Sequence, residues 1–245
     1  MGQTQLSGFP QVSSQGLWDE NATAQQEVGS YIETADGRGF RYAKVGAVAT
    51  VAGKVYQSSA LDATNLQPSG GLDSAATYAI GETAITLTDT LTVTKDFLAG
   101  GYLSVCVTPG QGYLYKIAGN TAVASAANMV ITLADPLQVA LSTSSKVIVT
   151  PHPYSGIVIE PGTPTGVIVG VPQRVTTALY YGYIQTRGVA SVLFTGTGVA
   201  GKAVGSLSSG TSGSIAPAIA ATNIGGYHVA TGISGEYSLI YLTIN

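Results

Sequence analysis

A glycine-rich segment, Gly196-Thr-Gly-Val-Ala-Gly201-Lys202, has the spacing of a dinucleotide-binding fingerprint and most of a phosphate-binding loop. Both motifs hold phosphate on the amides of a helix that begins at the glycines, and the loop version needs a magnesium-binding hydroxyl directly after the lysine. Ala203 follows Lys202 instead, and the next residues have the pattern of a strand and a turn. We therefore expect a glycine-rich turn here, and no nucleotide cofactor.

Two histidines, His152 and His228, are candidates for metal binding or for acid–base chemistry. Neither has a Cys, Asp or Glu at the spacing of a metal site. Cys106 is the single cysteine of the chain, so an intrachain disulfide and a thiolate metal cluster are both excluded. We expect loop and strand-edge histidines, a packing role for Cys106 and no bound metal.

A glycosidase would need two carboxylates in one cleft, but each acidic candidate stands where a turn is expected and Asp is favoured for its local hydrogen bonds. These candidates are Asp89, Asp96, Asp135 and Glu160. No Gly-x-Ser-x-Gly segment follows a strand and begins a helix, so a serine hydrolase has no nucleophile. The sequence thus predicts a protein that is not an enzyme and has no small-molecule substrate. A polysaccharide hydrolase is the less favoured alternative.

The chain is unusually poor in charge. Charged residues make up 9% of its 245 residues, whereas soluble domains average about 25%. Charge depletion marks the centres of protein–protein interfaces, so the composition favours a subunit of an assembly. The net charge of −3 comes from scattered residues with no Lys/Arg cluster, which argues against nucleic-acid and acidic-membrane partners. The first residues lack the pattern of a secretory signal, so we expect a soluble protein made in the cytoplasm.

Residues 1–36 are rich in Gln, Ser and Gly, with large apolar residues scattered among them. Such a segment cannot bury enough surface by itself to offset its ordering entropy, so we predict an extended N-terminal arm. Within it, residues 17–28 have the composition of one short helix, capped by Asp19 or Asn21. The large apolar residues of the arm are expected to bind a partner surface: Leu6, Phe9, Pro10, Leu17 and Trp18. The alternative is that Trp18 packs on the protein's own barrel.

The rest of the chain has the period-2 alternation of short strands. We predict short strands and a linker over 37–75, a β-sandwich-like module over 76–160 and a β-barrel-like module over 161–245, hence an all-β protein. The strongest alternation places Ile85, Leu87, Leu91 and Val93 on one face. The tyrosines, fourteen in number, suit strand packing better than a sugar-binding site, which stays the alternative.

The final strand is apolar on both faces, because Ile240, Leu242 and Ile244 alternate with Tyr237, Leu239 and Tyr241. A strand covered on both sides implies a closed barrel or a partner subunit. With the low charge, this predicts a homo-oligomer, a trimer first and a dimer next. An internal echo, ITLTDTL at 85–91 and ITLADPL at 131–137, raises the possibility of two related β units.

Five segments together resemble the virion proteins of tailed bacteriophages, chiefly head decoration (cement) proteins. They are DGRGFRYAKVGA at 36–47, GGYL at 100–103 with GQGYLYK at 110–116, ITLADPL at 131–137, and YYGYIQTRGVA at 180–190. The resemblance implies a protein on the outer surface of the virion, bound to the major capsid protein at junctions between shell subunits. It brings no active-site residues. A tail or fibre subunit, or a carbohydrate-binding receptor module, is the alternative virion role.

Overall fold

The computed structural model describes residues 15–59, 77–89, 92–124, 127–162, 165–206, 211–219 and 224–244. These residues form strands, turns and bends with no helix, so the predicted all-β class is confirmed. A helix able to span a membrane is accordingly absent from these ranges. The chain divides into two compact units. Unit 1 comprises the described parts of 1–60 and 153–245, and unit 2 those of 61–152.

The described ranges contain fifteen strands. Unit 1 begins with three of them, unit 2 contains the next five, and the remaining seven return to unit 1. In chain order they are β1 (Tyr31–Glu33), β2 (Gly39–Val45), β3 (Tyr56–Gln57), β4 (Ala84–Asp89), β5 (Tyr102–Val107), β6 (Leu114–Asn120), β7 (Ala127–Leu133), β8 (Lys146–Thr150), β9 (Ser155–Ile159), β10 (Ile168–Gly170), β11 (Tyr181–Leu193), β12 (Ala203–Ser206), β13 (Ile215–Pro217), β14 (Ile224–His228) and β15 (Tyr237–Thr243).

Unit 2 is a five-stranded antiparallel sheet in the order β4-β7-β6-β5-β8. Its core follows the predicted alternation, because Ile85 and Leu87 of β4 are buried together with Val93. Leu91 lies outside the described residues. The segment LQVAL at 137–141 forms no strand and makes an isolated bridge, from Leu141 to Tyr78. Its two leucines are still buried in the core of unit 2.

The two echo segments of the sequence pair with each other. β4 and β7 are antiparallel neighbours, and Ile85 of the first echo stands directly opposite Ile131 of the second. Both side chains are fully buried in one core. The echo therefore joins two strands of a single sheet and does not mark two separate β units.

Unit 1 is a sheet in the order β10-β3-β9-β2-β11-β15-β14-β12-β13, with β1 added on β2. All of its strand pairs are antiparallel except β2 with β9. Val171, just after β10, exchanges two backbone hydrogen bonds with Gln185 of β11, at 2.9 and 3.0 Å. This bridge links the residue after β10 back to β11, so the sheet curls on itself as a half-barrel.

β11 is the longest strand of unit 1 and belongs to two parts of the sheet. Its first half pairs with β2 and its second half with β15. The register shifts between Gln185 and Arg187, where Thr186 is the extra residue of a β-bulge. Because a one-residue insertion exchanges the two faces of a strand, the tyrosines of the first half and the exposed residues of the second half face opposite sides.

The described part of the predicted arm, residues 15–36, lies along unit 1. β1 pairs with β2, and Asn21 forms a β-bridge with Tyr181. The short helix expected over 17–28 is absent, because this stretch forms turns in which the Asn21 amide bonds to the Tyr181 carbonyl and the Gln25 amide to the Tyr42 hydroxyl. Residues 1–14, with Leu6, Phe9 and Pro10, lie outside the described residues.

The units differ from the domain boundaries expected from the sequence. Residues 37–59 are not a separate linker region, since β2 and β3 pair with strands from the C-terminal half. β9, expected at the end of the first module, belongs to unit 1 and pairs with β2 and β3. Pairing between residues more than 100 positions apart leaves no local signal in the sequence, and this explains the difference.

Candidate interaction surface

The last strand of unit 1 has one buried face and one exposed face. Ile240 and Leu242 are fully buried, and Ile244 just beyond the strand is buried with them. On the opposite face Tyr237, Leu239 and Tyr241 are between 41% and 51% exposed. The predicted alternation of β15 is therefore present, but within unit 1 its second face stays open to solvent.

Apolar side chains on neighbouring strands extend this exposed face. Val189 of β11 and Tyr227 of β14 stand directly opposite Tyr241, one on each side. The Val229 amide bonds to the Leu239 carbonyl, and Val229 is also exposed. We call this surface the tyrosine face; its members are Tyr31, Val189, Tyr227, Val229, Tyr237, Leu239 and Tyr241.

Tyr31 reaches the tyrosine face through a gap in the side chains of β2. The register places Glu33 of β1, Gly39 of β2 and Arg187 of β11 in one row across three strands. The phenol of Tyr31 occupies the space that a Cβ at position 39 would need. Glycine at this position is what permits the tyrosine to lie on the sheet.

The hydroxyl of Tyr31 connects the two charges of this row. It donates a hydrogen bond to Oε2 of Glu33 at 3.1 Å. Arg187 hydrogen-bonds to the side chains of Tyr31 and Tyr241, and these bonds raise the pKa of its guanidinium. Burial, followed by the bond to Glu33, raises the pKa of the Tyr31 phenol. The row therefore brings an arginine and a glutamate onto one tyrosine hydroxyl.

A second arginine, Arg41, contacts the ring of Tyr31. The guanidinium of Arg41 lies 5.4 Å from the centre of the Tyr31 ring and 5.5 Å from that of Tyr154. Its Nη1 donates to the Gly29 carbonyl at 2.9 Å. Cation–π contacts of this kind contribute about 0.5–1 kcal/mol each near a surface. The tyrosine is thus fixed in its orientation before any partner arrives.

The tyrosine face has the composition of a protein-binding surface. Tyr and Arg are enriched at the energetic centres of interfaces, where charge is otherwise depleted. Its rigid aromatic side chains lose little conformational entropy on binding. Chemically it offers aromatic contact area, hydroxyls and one charge of each sign, but no nucleophile with an adjacent base.

Two of the residues predicted to bind a capsid lie in the described part of the chain, and they differ in exposure. Leu17 is partly buried and packs against the core formed by Ile32, Phe40, Tyr42 and Tyr183. The Trp18 ring lies edge-on to that of Phe40, with centroids 6.3 Å apart, and remains 46% exposed. Trp18 therefore contacts Phe40 of β2 and still presents about half of its surface.

A carboxylate fastens this N-terminal segment to the loop before β11. Glu20 accepts hydrogen bonds from the Thr177 amide at 2.7 Å and from the Thr177 hydroxyl at 2.9 Å. The amide bond is the main reason that the pKa of Glu20 is lowered. The Gln15 side chain adds bonds to the Asp19 and Tyr181 carbonyls. Residues 15–21 are therefore a built part of unit 1.

The other candidates from the sequence do not form a reactive cluster. Residues 196–202 form a turn followed directly by β12, so the predicted absence of a helix after the glycines is confirmed. His228 is buried edge-on against Phe194, and burial lowers its pKa. His152 lies beside Tyr102 in unit 2. Within the described ranges, no three residues of metal-ligand type come together.

Glu160 differs from the turn acid that the sequence predicts. It follows β9 and is 1% exposed, and its Oε1 has no hydrogen-bond partner within the described residues. Its backbone amide bonds to Val55, and its carbonyl accepts from Gly213. Burial raises the pKa of the carboxyl to about 7. Asp96 and Asp135, in contrast, do lie in a turn and a bend.

Comparison of the chain with protein-family models, with curated proteins and with solved structures finds no match. The surface must therefore be interpreted from its own geometry.

The sequence pattern indicated the tyrosines of β15 but gave no indication of Tyr31, Gly39 or Arg187. These three residues come together only through the pairing of β1, β2 and β11, and Arg187 is about 150 positions from the other two. No spacing rule connects them. The one available signal was the unusual glycine at the start of a strand otherwise built of large residues.

Proposed function

We propose that this chain is a structural virion protein, not an enzyme, that binds the outer surface of a phage head and stabilises the shell. The observation that carries the proposal is the tyrosine face, an exposed apolar sheet face on a chain with 9% charged residues. Monomeric soluble proteins rarely expose a contiguous apolar face of this kind unless it binds something. The resemblance of five segments to head decoration proteins indicates that the assembly is a phage head.

Two different surfaces are assigned to two partners. The tyrosine face serves self-association, with a trimer expected first and a dimer next, because closed symmetry is the usual result for identical subunits. The N-terminal segment serves attachment to the major capsid protein through Leu6, Phe9, Pro10, Leu17 and Trp18. Trp18 supports this role, since a half-exposed tryptophan held on a fastened segment is the type of residue that dominates interfaces.

The test of attachment is co-sedimentation with undecorated phage heads. Removal of residues 1–14 keeps the fastened segment 15–21 and removes three of the five predicted anchors, and we expect unit 1 to stay folded. We expect the affinity for heads to fall at least about tenfold. Trp18→Ala in the full chain should weaken binding in the same direction.

The matched control is Phe97→Ala, which removes an aromatic side chain of similar exposure from unit 2. It should leave head binding unchanged. Full affinity for heads after both the truncation and Trp18→Ala would overturn the assignment of the N-terminal anchor.

A tail or fibre subunit that binds host-surface glycans is the second candidate, and the exposed tyrosines favour it specifically, because aromatic faces stack on sugars. A glycan array separates the two. Binding of a defined glycan that is lost in Tyr237→Ala would support the fibre role.

A further inference from the structure

The tyrosine face is large enough to be a subunit contact. Its seven side chains are between 36% and 51% exposed. Together they offer roughly 600 Å² of surface, of the order of the ~800 Å² that each partner covers in a standard-size interface. Arg187 and Ser191, on the same face, add polar area at its centre and edge.

The charges of this face are complementary to each other. Glu33 and Arg187 lie in one register row with Gly39 between them, two strand spacings apart, or about 10 Å. They share the Tyr31 hydroxyl but form no direct ion pair with each other. A guanidinium has five donors, of which the two tyrosines engage only part. Each charge can therefore take an opposite charge from outside the chain.

A second copy of the same chain carries both Glu33 and Arg187, so it can supply an opposite charge to each of them. When such faces meet about a three-fold axis, Glu33 of one copy is brought to Arg187 of the next around the ring; about a two-fold axis the reciprocal pair forms as well. A nucleic acid or an acidic membrane would meet Glu33 as a like charge, whereas a second copy offers an arginine to Glu33 and a glutamate to Arg187.

We propose that the tyrosine face is the homo-oligomer contact, with Glu33 of one subunit paired with Arg187 of its neighbour. The contact rests on the self-association assigned under the proposed function, and it specifies which residues meet. Tyr31 is a positioning residue for both charges, since its hydroxyl contacts each of them.

Charge reversal tests the pairing directly. Arg187→Glu and Glu33→Arg each place like charges opposite one another in a homo-oligomer, so each variant alone should associate at least about tenfold more weakly than the wild type. An equimolar mixture of the two variants restores opposite charges between unlike copies. We expect the mixture to regain a mass above that of either variant alone, measured by light scattering.

Two controls keep the test specific. Circular dichroism and thermal melting of both variants should match the wild type, which shows that the loss is one of association and not of folding. Lys146→Glu reverses an exposed charge in unit 2 and should leave association unchanged.

Recovery in the mixture supports the contact, because charge complementation between two different chains has no intramolecular explanation. A mixture that is no better than its components, or single variants that associate like the wild type, would overturn it. A wild type that is monomeric at micromolar concentration would instead refute the self-association in the proposed function itself.

Discussion

The phenol of Tyr31 lies over the backbone of Gly39, in the space that a side chain at position 39 would fill. This contact places the hydroxyl between Glu33 and Arg187 and connects three strands that are distant in the sequence. The arrangement depends on the absence of a single methyl group, and so it can be tested by adding one.

Gly39→Ala should therefore displace Tyr31 and destabilise unit 1. Overpacking of this kind costs about 1–3 kcal/mol, and we expect the free energy of unfolding in urea to fall by that amount. The double variant Gly39→Ala/Tyr31→Ala removes the clash, so the alanine at 39 should cost less in that background. An equal cost in both backgrounds would mean that Tyr31 does not occupy the gap.

The buried Glu160 predicts a loss of stability as the pH rises. Its folded-state pKa of about 7 lies above the ordinary pKa of a glutamate, 4.5, so between these values the folded chain binds a proton that the unfolded chain has released. The free energy of unfolding then falls with rising pH through this window, by on the order of 3 kcal/mol in total. Above about pH 7 no further loss is expected from this group.

The variant Glu160→Gln removes the ionisation and keeps the shape of the side chain. Urea unfolding from about pH 5 to about pH 8 should show a flatter profile for the variant, which becomes more stable than the wild type at the upper end. His228 contributes with the opposite sign, because its lowered pKa costs stability as the pH falls below 6.5, the ordinary pKa of a histidine. Parallel profiles for wild type and Glu160→Gln would contradict the buried, protonated carboxyl.

The facing isoleucines of unit 2 predict a large effect of a single truncation. Ile131 is fully buried and stands opposite Ile85 across β4 and β7. Ile131→Ala should lower the free energy of unfolding by about 2–5 kcal/mol, through lost burial and the cavity it leaves. Thr132→Ala, on the exposed face of the same strand, is the control and should change it by less than about 0.5 kcal/mol. Similar effects of the two substitutions would argue against the register of β4 and β7.

The two hydrogen bonds between Glu20 and Thr177 predict that residues 15–21 stabilise unit 1. Glu20→Ala removes both bonds to Thr177, so we expect the free energy of unfolding to fall by about 1–3 kcal/mol, as for bonds to a charged group. Glu20→Gln keeps one acceptor oxygen and should lose less. A wild-type urea midpoint in Glu20→Ala would show that the segment is not fastened by this carboxylate.

Patterns with a short period were predictable from the sequence. The alternation along β4 and β15 indicated which side chains are buried, and this is where the structure agrees, because a strand with one buried face must alternate. The turn at 196–202 was predictable for a similar local reason, since neither a hydroxyl nor a helix follows Lys202.

Long-range pairing was not predictable in the same way. The fastening of 15–33 to unit 1, the long strand β11 with its bulge, and the burial of Glu160 all depend on partners far away in the chain. A polar N-terminal segment indicates an arm by composition. Its described part is nevertheless ordered by backbone pairing and by the hydrogen bonds between Glu20 and Thr177, neither of which requires an apolar run.

The central claim, a structural protein on the outside of a phage head, is tested most directly by immunogold electron microscopy of the parent particles with an antibody against the purified chain. The account predicts gold on the outer surface of the heads in a regular arrangement. Label confined to tails or fibre tips, or no label on intact particles, would contradict it.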